Sequence, residues 1–442
     1  LLLLAPTAYV FGGVQTWLDD VSRGLAAQGW TVRVGLLAGA RHDVAAYRAA
    51  WPGLPGAFAI GNPTGSREGR VRALMRAIEG SRADLVVSVN AADSFDAVAR
   101  LRKEGRSVRL AMSLHGIEPD YFRQIGGEAA WLDAVVVTNR LTAERVKDVG
   151  MPADRVLYAP YGVPIDDLAP SAERCDASAA APFTIGFCGR IEEPQKRVSD
   201  LVAIAGRLVA EGVDFRLRVV GDGPEAAGVR ERLEALLGDR LAWLGRQPAH
   251  VLGDCFYRQI DALLITSQWE TGPIVAWEAM AAGVTVVSSR YEGLAEEGAL
   301  VDGENCLLFP IGDVGGAASE LRRLATDRAI GARLAAAARR LVAERYSRDA
   351  SITAWAEALT RVAAMPLRPV GDRRDGALTA APAGRLDRWF GVTHAETLRR
   401  RLGIAFAHGD AGGEWPHAYP SVVAARHATS LEAAQTRESI QP

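Results

Sequence analysis

A chain of 442 residues, 49% of them apolar, is long enough for two hydrophobic cores with a further segment left over. Its formal net charge of -2 argues against a nucleic-acid binder that relies on overall positive charge, and no apolar run reaches the roughly 18 residues needed to span a bilayer. Cys175, Cys188, Cys255 and Cys306 form no CxxC pair, which points to reduced thiols in a cytosolic protein, with neither disulfides nor zinc implied.

Taken in chain order, short apolar runs alternate with longer helical patterns. LLLLAP reads as a buried first strand and not as a signal peptide, because it has no basic start and breaks after a few residues. The chain opens on Leu1 and not on Met, so residues preceding it are expected in the native protein. VQTWLDDVSRGLAAQG reads as a helix closed by Gly29, and TVRVGLLAG as the next strand. DLVVSVN, VRLAMSLHG and AVVVTNR repeat the rhythm, each followed by a helix-compatible stretch, which predicts a doubly wound parallel sheet over residues 1–168. Periodicity vanishes at residues 169–182, the expected linker. A second series over 183–345 (FTIGFCGR, FRLRVVGDGPE, LAWLGR, DALLITS, VTVVSS, NCLLFPIGD) predicts a second Rossmann-like domain, the two facing a central cleft. A C-terminal helix over 346–365 is expected to cross back to the first domain, and an extension of different composition follows over 366–442.

Four stretches carry possible chemistry, each with a bland alternative. FGGVQTW, with Gly13, sits where a strand meets a helix, a place that suits anions; a tight turn needs glycine anyway. CGRIEEPQKR offers Gly189, Arg190, Lys196 and Arg197 for a diphosphate, or only a solvated basic loop. VVGDGPE adds strand-ending glycines at Gly221 and Gly223. In SQWETGPIVAWEAMAAG, Pro273 suits the first position of a helix stopped by Gly283, and Glu278 is the one charge in an otherwise apolar helix. A buried carboxylate needs donors, which ribose hydroxyls or a core arginine would supply. Glu270 lies just before that helix, where sugar hydroxyls or its positive end would suit it.

In the order of the GGV turn, His115 at a strand end, GR…QKR, VVGDGPE and Glu-x7-Glu before EAMAAGVTVVSS, residues 3–360 resemble the retaining glycosyltransferases of family four, with the GT-B fold. The resemblance implies that Glu278 holds ribose hydroxyls, Glu270 holds donor-sugar hydroxyls, and Arg190 and Lys196 bind the diphosphate. Gly13, Gly189, Gly221, Thr271, Gly272 and Pro273 would assist, and His115 would line the reaction centre. It implies a nucleoside-diphosphate sugar as donor, no obligatory metal or cofactor, a glycan or lipid-linked acceptor, and no nucleic acid. A cytoplasmic protein with peripheral contact at the inner membrane face is expected, and ARLRKEGRSVR, with five basic residues and one acidic, is either that contact or a solvated helix end. Two departures stand out: Arg197 where relatives commonly have Gly, and SRYEGLAEEGALVDGENCLLF in place of a compact GG-x-PE turn. The alternatives are a nucleotide-sugar epimerase on a similar fold and a non-catalytic glycan-binding relative.

Overall fold

The computed structural model describes residues 1–405 except 8, 9, 11, 40–42, 118, 170–181 and 380–383. The expected linker falls almost wholly outside the described residues, as do Cys175 and the GEWPHAYP segment.

The chain divides into two compact units, each built on one sheet. The first takes Leu1–Val137, Thr142–Tyr158 and the chain from Trp355 onward. Its strands are β1 (Leu2–Ala5), β2 (Arg33–Leu37), β3 (Phe58–Ile60), β4 (Leu85–Val89), β5 (Arg109–Leu114), β6 (Ala134–Val137) and β7 (Val156–Tyr158), in the order β3-β2-β1-β4-β5-β6-β7. The second takes Thr138–Leu141 and Ala159–Ala354. Its strands are β8 (Phe183–Cys188), β9 (Phe215–Val220), β10 (Leu241–Gly245), β11 (Ala262–Ile265), β12 (Thr285–Ser289) and β13 (Cys306–Phe309), in the order β10-β9-β8-β11-β12-β13. All pairings between these strands are parallel. Strands β4, β6, β11, β12 and β13 are buried at every position, which is why they read as unbroken apolar runs: helices cover both faces.

Each sheet reverses its strand order once, between β1 and β4 in the first unit and between β8 and β11 in the second. The crevice at the carboxyl ends of those strands is where an open α/β sheet presents its loops to a ligand. In the second unit this is the place where the CGRIEEPQKR and SQWETGP loops emerge.

Helix Ile274–Ala281 shows how local chemistry fixes the second loop. Pro273 (φ -73°) caps the helix instead of occupying its first turn, which corrects the expected start by one residue. At the other end Gly283 takes φ +74°, and the amides of Gly283 and Val284 reach the carbonyls of Met280 (3.1 Å) and Ala279 (2.8 Å), a Schellman closure that a side chain at 283 would strain. Trp277 is buried and stacks on Tyr346 at 4.2 Å between ring centres, so the apolar face of the helix is pinned to the core.

Helix Arg348–Ala364 starts in the second unit and ends in the first. The extension then lies on the first unit as far as residue 405. Arg368 donates to the carbonyls of Ala129 (2.6 Å) and Leu132 (3.1 Å), and Arg373 grips both oxygens of Glu128 at 2.6 Å and Asp96 at 2.8 Å. Helix Arg385–Leu402 meets helix Arg67–Ser81 where Glu396, fully buried, accepts from Thr64 (2.7 Å) and Ser66 (2.5 Å). The ARLRKEGRSVR segment is drawn into this framework. Arg100 pairs with Glu68 (2.6 Å) and Asp375 (2.5 Å), Arg102 with Asp133, and Lys103 donates to the Arg373 carbonyl (3.1 Å). Arg100 and Arg102 thus neutralise carboxylates of their own unit, while Lys103, Glu104 and Arg106 stay exposed where the helix ends, in keeping with the expectation of a solvated helix end.

Candidate functional site

The loop after β8 and the loop after β9 are stitched together by backbone. Gly189 N–H donates to Val220 (3.1 Å), Ile191 N–H to Asp222 (2.9 Å) and Glu225 N–H to the Ile191 carbonyl (3.2 Å). A Cβ on Gly223 would fall 2.2 Å from the Ile191 oxygen, and one on Gly221, where φ is +140°, 1.8 Å from the Gly189 oxygen. The glycines of VVGDGPE are therefore explained by this close approach, and no ligand is needed to account for Gly221. Gly189 itself lies against the Lys196 side chain, with a notional Cβ 3.6 Å from Cε.

The loop from β8 is held equally firmly to the loop from β11. Thr266 Oγ1 donates to the Lys196 carbonyl (2.6 Å) and Gln268 N–H to the Gln195 carbonyl (2.7 Å). Across this seam Lys196 Nζ reaches Glu270 Oε1 at 2.5 Å, and Ser267 Oγ donates to the same oxygen at 2.5 Å. Gln195, buried, donates to the Trp269 carbonyl at 3.1 Å and sits 3.5 Å from the other Glu270 oxygen, while its own oxygen accepts from Arg190 Nη2 at 2.5 Å. Arg190 is otherwise two-thirds exposed and pairs with Glu192 at 3.0 Å. The backbone turn at Arg197 has φ +47°, which gives the physical reason why glycine suits that position. Arg197 holds the turn with a pair to Asp200 at 2.7 Å.

Glu270 thus finds its donors inside the protein. Glu278 has a different environment. Tyr257, wholly buried just before β11, donates its hydroxyl to Glu278 Oε2 at 2.5 Å, and burial raises the Glu278 carboxyl to about 7, against the opposing effect of that hydrogen bond. The sign is that of a raised acid. The contribution to folding stability is full below the ordinary value of 4.5 and is lost as pH rises through about 7. Cys188 lies beside this pair, its thiol pushed up to about 12 by burial and by the Glu278 charge. Thr271 offers its carbonyl to Asn139 at 3.3 Å, and Gly272 turns the chain at φ +100°.

In the first unit, Gly13 opens the helix Gly13–Ala27 with its backbone exposed, and His115 directly follows β5. His115 is buried, bonds Ser113 through Nε2, and lies 4.4 Å from the Trp17 ring; burial lowers it to about 3. It is a neutral imidazole at any ordinary working pH. The register Val89↔Ser113 sets Asn90 at the same sheet edge, buried, with φ +50° and with no hydrogen-bond partner for Oδ1 among the described residues. The indole N–H of Trp17 is likewise buried without a partner among them. Gln195, Tyr257, Ser267 and Asn90 were not singled out by sequence. Gln195 and Ser267 stood within the stretches marked for chemistry; Tyr257 and Asn90 did not.

Family models match in both halves of the chain. The model described as Glycosyltransferase Family 4 covers residues 11–167, and that described as Glycosyl transferases group 1 covers residues 182–327. The chain belongs to this glycosyltransferase family. It is 31% identical over 277 residues to D-inositol 3-phosphate glycosyltransferase of Stackebrandtia nassauensis, a match spanning 58% of this chain and 62% of that one. It is 31% identical over 163 residues to N-acetyl-alpha-D-glucosaminyl L-malate synthase of Bacillus anthracis, covering 36% and 41% respectively. The chain thus spans less than two-thirds of the length of either relative. Anabaena HepE in complex with UDP superposes with a TM-score of 0.67 at 20% identity, over 81% of this chain and 99% of that one. Sucrose-phosphate synthase of Thermosynechococcus elongatus does so with a TM-score of 0.67 at 18% identity, over 82% and 98%. Two parallel sheets of this kind are the GT-B fold, as the sequence resemblance implied.

Proposed function

We propose that the protein is a retaining glycosyltransferase that moves a sugar from a nucleoside-diphosphate sugar to a hydroxyl of a glycan or lipid-linked acceptor. The observation that carries this reading is the Lys196–Glu270 pair bridging the loops after β8 and β11 at the strand-order reversal, with Glu278 on the helix that follows. Glu278, oriented by Tyr257, accepts from the ribose. Lys196 and Arg190 neutralise the charge that grows on the departing diphosphate, and Glu270 accepts from hydroxyls of the reacting sugar. The anomeric carbon–oxygen bond to the diphosphate breaks as the acceptor oxygen bonds on the same face, and the acceptor proton passes to the leaving phosphate oxygen. No protein nucleophile is needed. In the first unit, neutral His115 and the unpartnered Asn90 and Trp17 atoms suit hydroxyl groups of an acceptor. HepE with bound UDP, and with bound UDP-glucose, makes uracil the base to try first. A lipid-linked acceptor would place the protein at the cytoplasmic face of a membrane.

The test is a screen of nucleotide sugars by calorimetry, followed by mass detection of transfer to candidate acceptors. Turnover of donor to an isomer with no acceptor present would establish the epimerase instead. Within the same assay the two carboxylates are expected to separate. Glu278→Ala should weaken UDP and UDP-sugar alike, whereas Glu270→Gln should leave UDP no weaker and lower transfer at saturating donor by roughly 100-fold. Equal loss of UDP in both variants would make the pair a structural brace.

Glu278 also sets a pH dependence. A carboxyl near 7 must ionise to accept from two ribose hydroxyls, so nucleoside affinity is expected to rise with pH. From pH 8 to pH 6 uridine should weaken about tenfold, one pH unit on the acid side of the titration being worth about a factor of ten. Uridine is the probe because it carries no phosphate titrating in that range. Glu278→Gln should flatten the profile, and a flat profile in the unsubstituted protein would remove Glu278 from the ribose.

A further inference from the structure

Helix Arg385–Leu402 carries two acids and five arginines, and the fold sorts them by sign. Both acids face inward: Asp387 pairs with Arg399 at 2.7 Å, and Glu396 is held by Thr64 and Ser66. Asp387, Glu396 and Arg399 are all buried. The charges left outside are Arg385, Arg388, Arg400 and Arg401, every one positive. Arg76 on the neighbouring helix adds a fifth exposed cation, close enough to Arg400 and Arg72 that their charges, after burial, lower its affinity for a proton.

The same helix leaves large apolar groups in water. Trp389 is 70% exposed, Phe390 52% and Leu402 62%, with Ile404 just beyond at 42%. They make up four of the six exposed large hydrophobic residues among the described residues, all within sixteen positions of the 442. A break at Gly391 (φ +72°) ends the first stretch of helix directly after Trp389 and Phe390. An ordinary solvated helix mixes charge signs outside and keeps its aromatic residues inside. This one shows the reverse.

We propose that this face of helix Arg385–Leu402 docks on an anionic lipid surface. Indole and phenyl rings settle at the level of the headgroups, where one end of the side chain is apolar and the other wet, and guanidinium groups bind lipid phosphates in a two-pronged manner. Charge complementarity selects this occupant: four outward arginines and no outward acid on the helix match a negative surface, while a protein of net charge -2 has no general attraction to one. The patch consists of side chains outside the Glu396 and Arg373 contacts that hold the extension down, so docking needs no rearrangement of the first unit. The proposal is independent of sugar transfer, since vesicle binding is read without donor or acceptor.

The experiment is co-sedimentation of the full chain with vesicles of phosphatidylcholine alone or of phosphatidylcholine mixed with phosphatidylglycerol. Binding to the mixed vesicles alone is expected, weakening as salt is raised. Trp389→Ala/Phe390→Ala and Arg385→Glu/Arg388→Glu should each lower partitioning by about tenfold or more, with circular dichroism and UDP affinity unchanged. Equal binding to both kinds of vesicle, no binding to either, or no loss in either variant would overturn the proposal. A dimer in sedimentation that the Trp389→Ala/Phe390→Ala variant dissociates, with no vesicle binding, would assign the face to a second copy of the chain and overturn it too.

Discussion

Lys196→Ala is expected to lower transfer at saturating donor by about 100- to 1,000-fold, the scale of losing one charged group that stabilises a developing anion. It is also expected to destabilise the second unit. Glu270 is 6% exposed at its side chain, and removing the ammonium 2.5 Å away leaves a buried carboxylate with Ser267 and Gln195 as its remaining side-chain donors among the described residues. Breaking one side of a buried pair costs about 3 to 5 kcal/mol in general, and those two remaining donors place this case at the lower end, about 3 kcal/mol. The two effects come apart in a second variant. Lys196→Ala with Glu270→Gln removes both charges, so urea denaturation should return most of the lost stability while turnover stays low. If the double variant recovers turnover together with stability, Lys196 is a structural partner of Glu270 and has no part in stabilising the diphosphate. If Lys196→Ala alone turns over normally, the diphosphate is neutralised elsewhere.

The ion pair of Lys196 with Glu270 was the part of the candidate site that sequence concealed. Alternating apolar runs made both sheets legible, because fully buried parallel strands such as β4, β6, β11 and β12 have to be continuously apolar. Strands β3 and β7 were not read, and the reason is physical. Each is three residues long and lies at a sheet edge, so neither carries enough period to separate it from a loop. The Ala-rich pattern from Ala317 to Ala364 reads as helical, with no break marked at residue 327. Asp327, which accepts from the amides of Ala329 and Ile330, restarts the helix there, and a capping contact of this kind has no signature in apolar periodicity. Residue types at motif positions were legible, whereas partners were not. The sequence placed Glu270 and Lys196 among ligand contacts, but that they neutralise each other depends on a seam of hydrogen bonds joining residues seventy or more positions apart. Tyr257, the donor to Glu278, comes from a short turn that no motif marks.

The extension gives the sharper case, and it supports the second large effect. A composition of Pro, Gly and Arg after Met365 reads as a tail that can be cut near residue 368 with donor affinity held within a few fold. Its contacts now say what the cut would do to the first unit. Arg373 is 10% exposed and holds Glu128 through both oxygens and Asp96, whose carboxylate is 1% exposed and 277 residues away in the chain. Arg373→Ala is therefore expected to destabilise the first unit by about 3 to 5 kcal/mol, since Glu128 and the buried Asp96 lose their shared cation. Arg67 and the Gly376 amide still face Asp96, which argues for the lower end. Arg373→Lys keeps the charge but not the fork, so its loss should be smaller, about 1 to 2 kcal/mol. Truncation near residue 368 removes Arg373, Asp375 and Glu396 together and should exceed the single substitution. The second unit holds Lys196, Glu270 and Glu278 and receives none of these contacts, so UDP affinity measured where the truncated chain is still folded should stay within a few fold of the full chain. Thermal unfolding beside calorimetry with UDP reads both quantities. If truncation leaves the unfolding transition unmoved, the ion pairs around Arg373 do not hold the extension to the first unit. If it abolishes UDP binding in a chain that remains folded, the donor site depends on the extension.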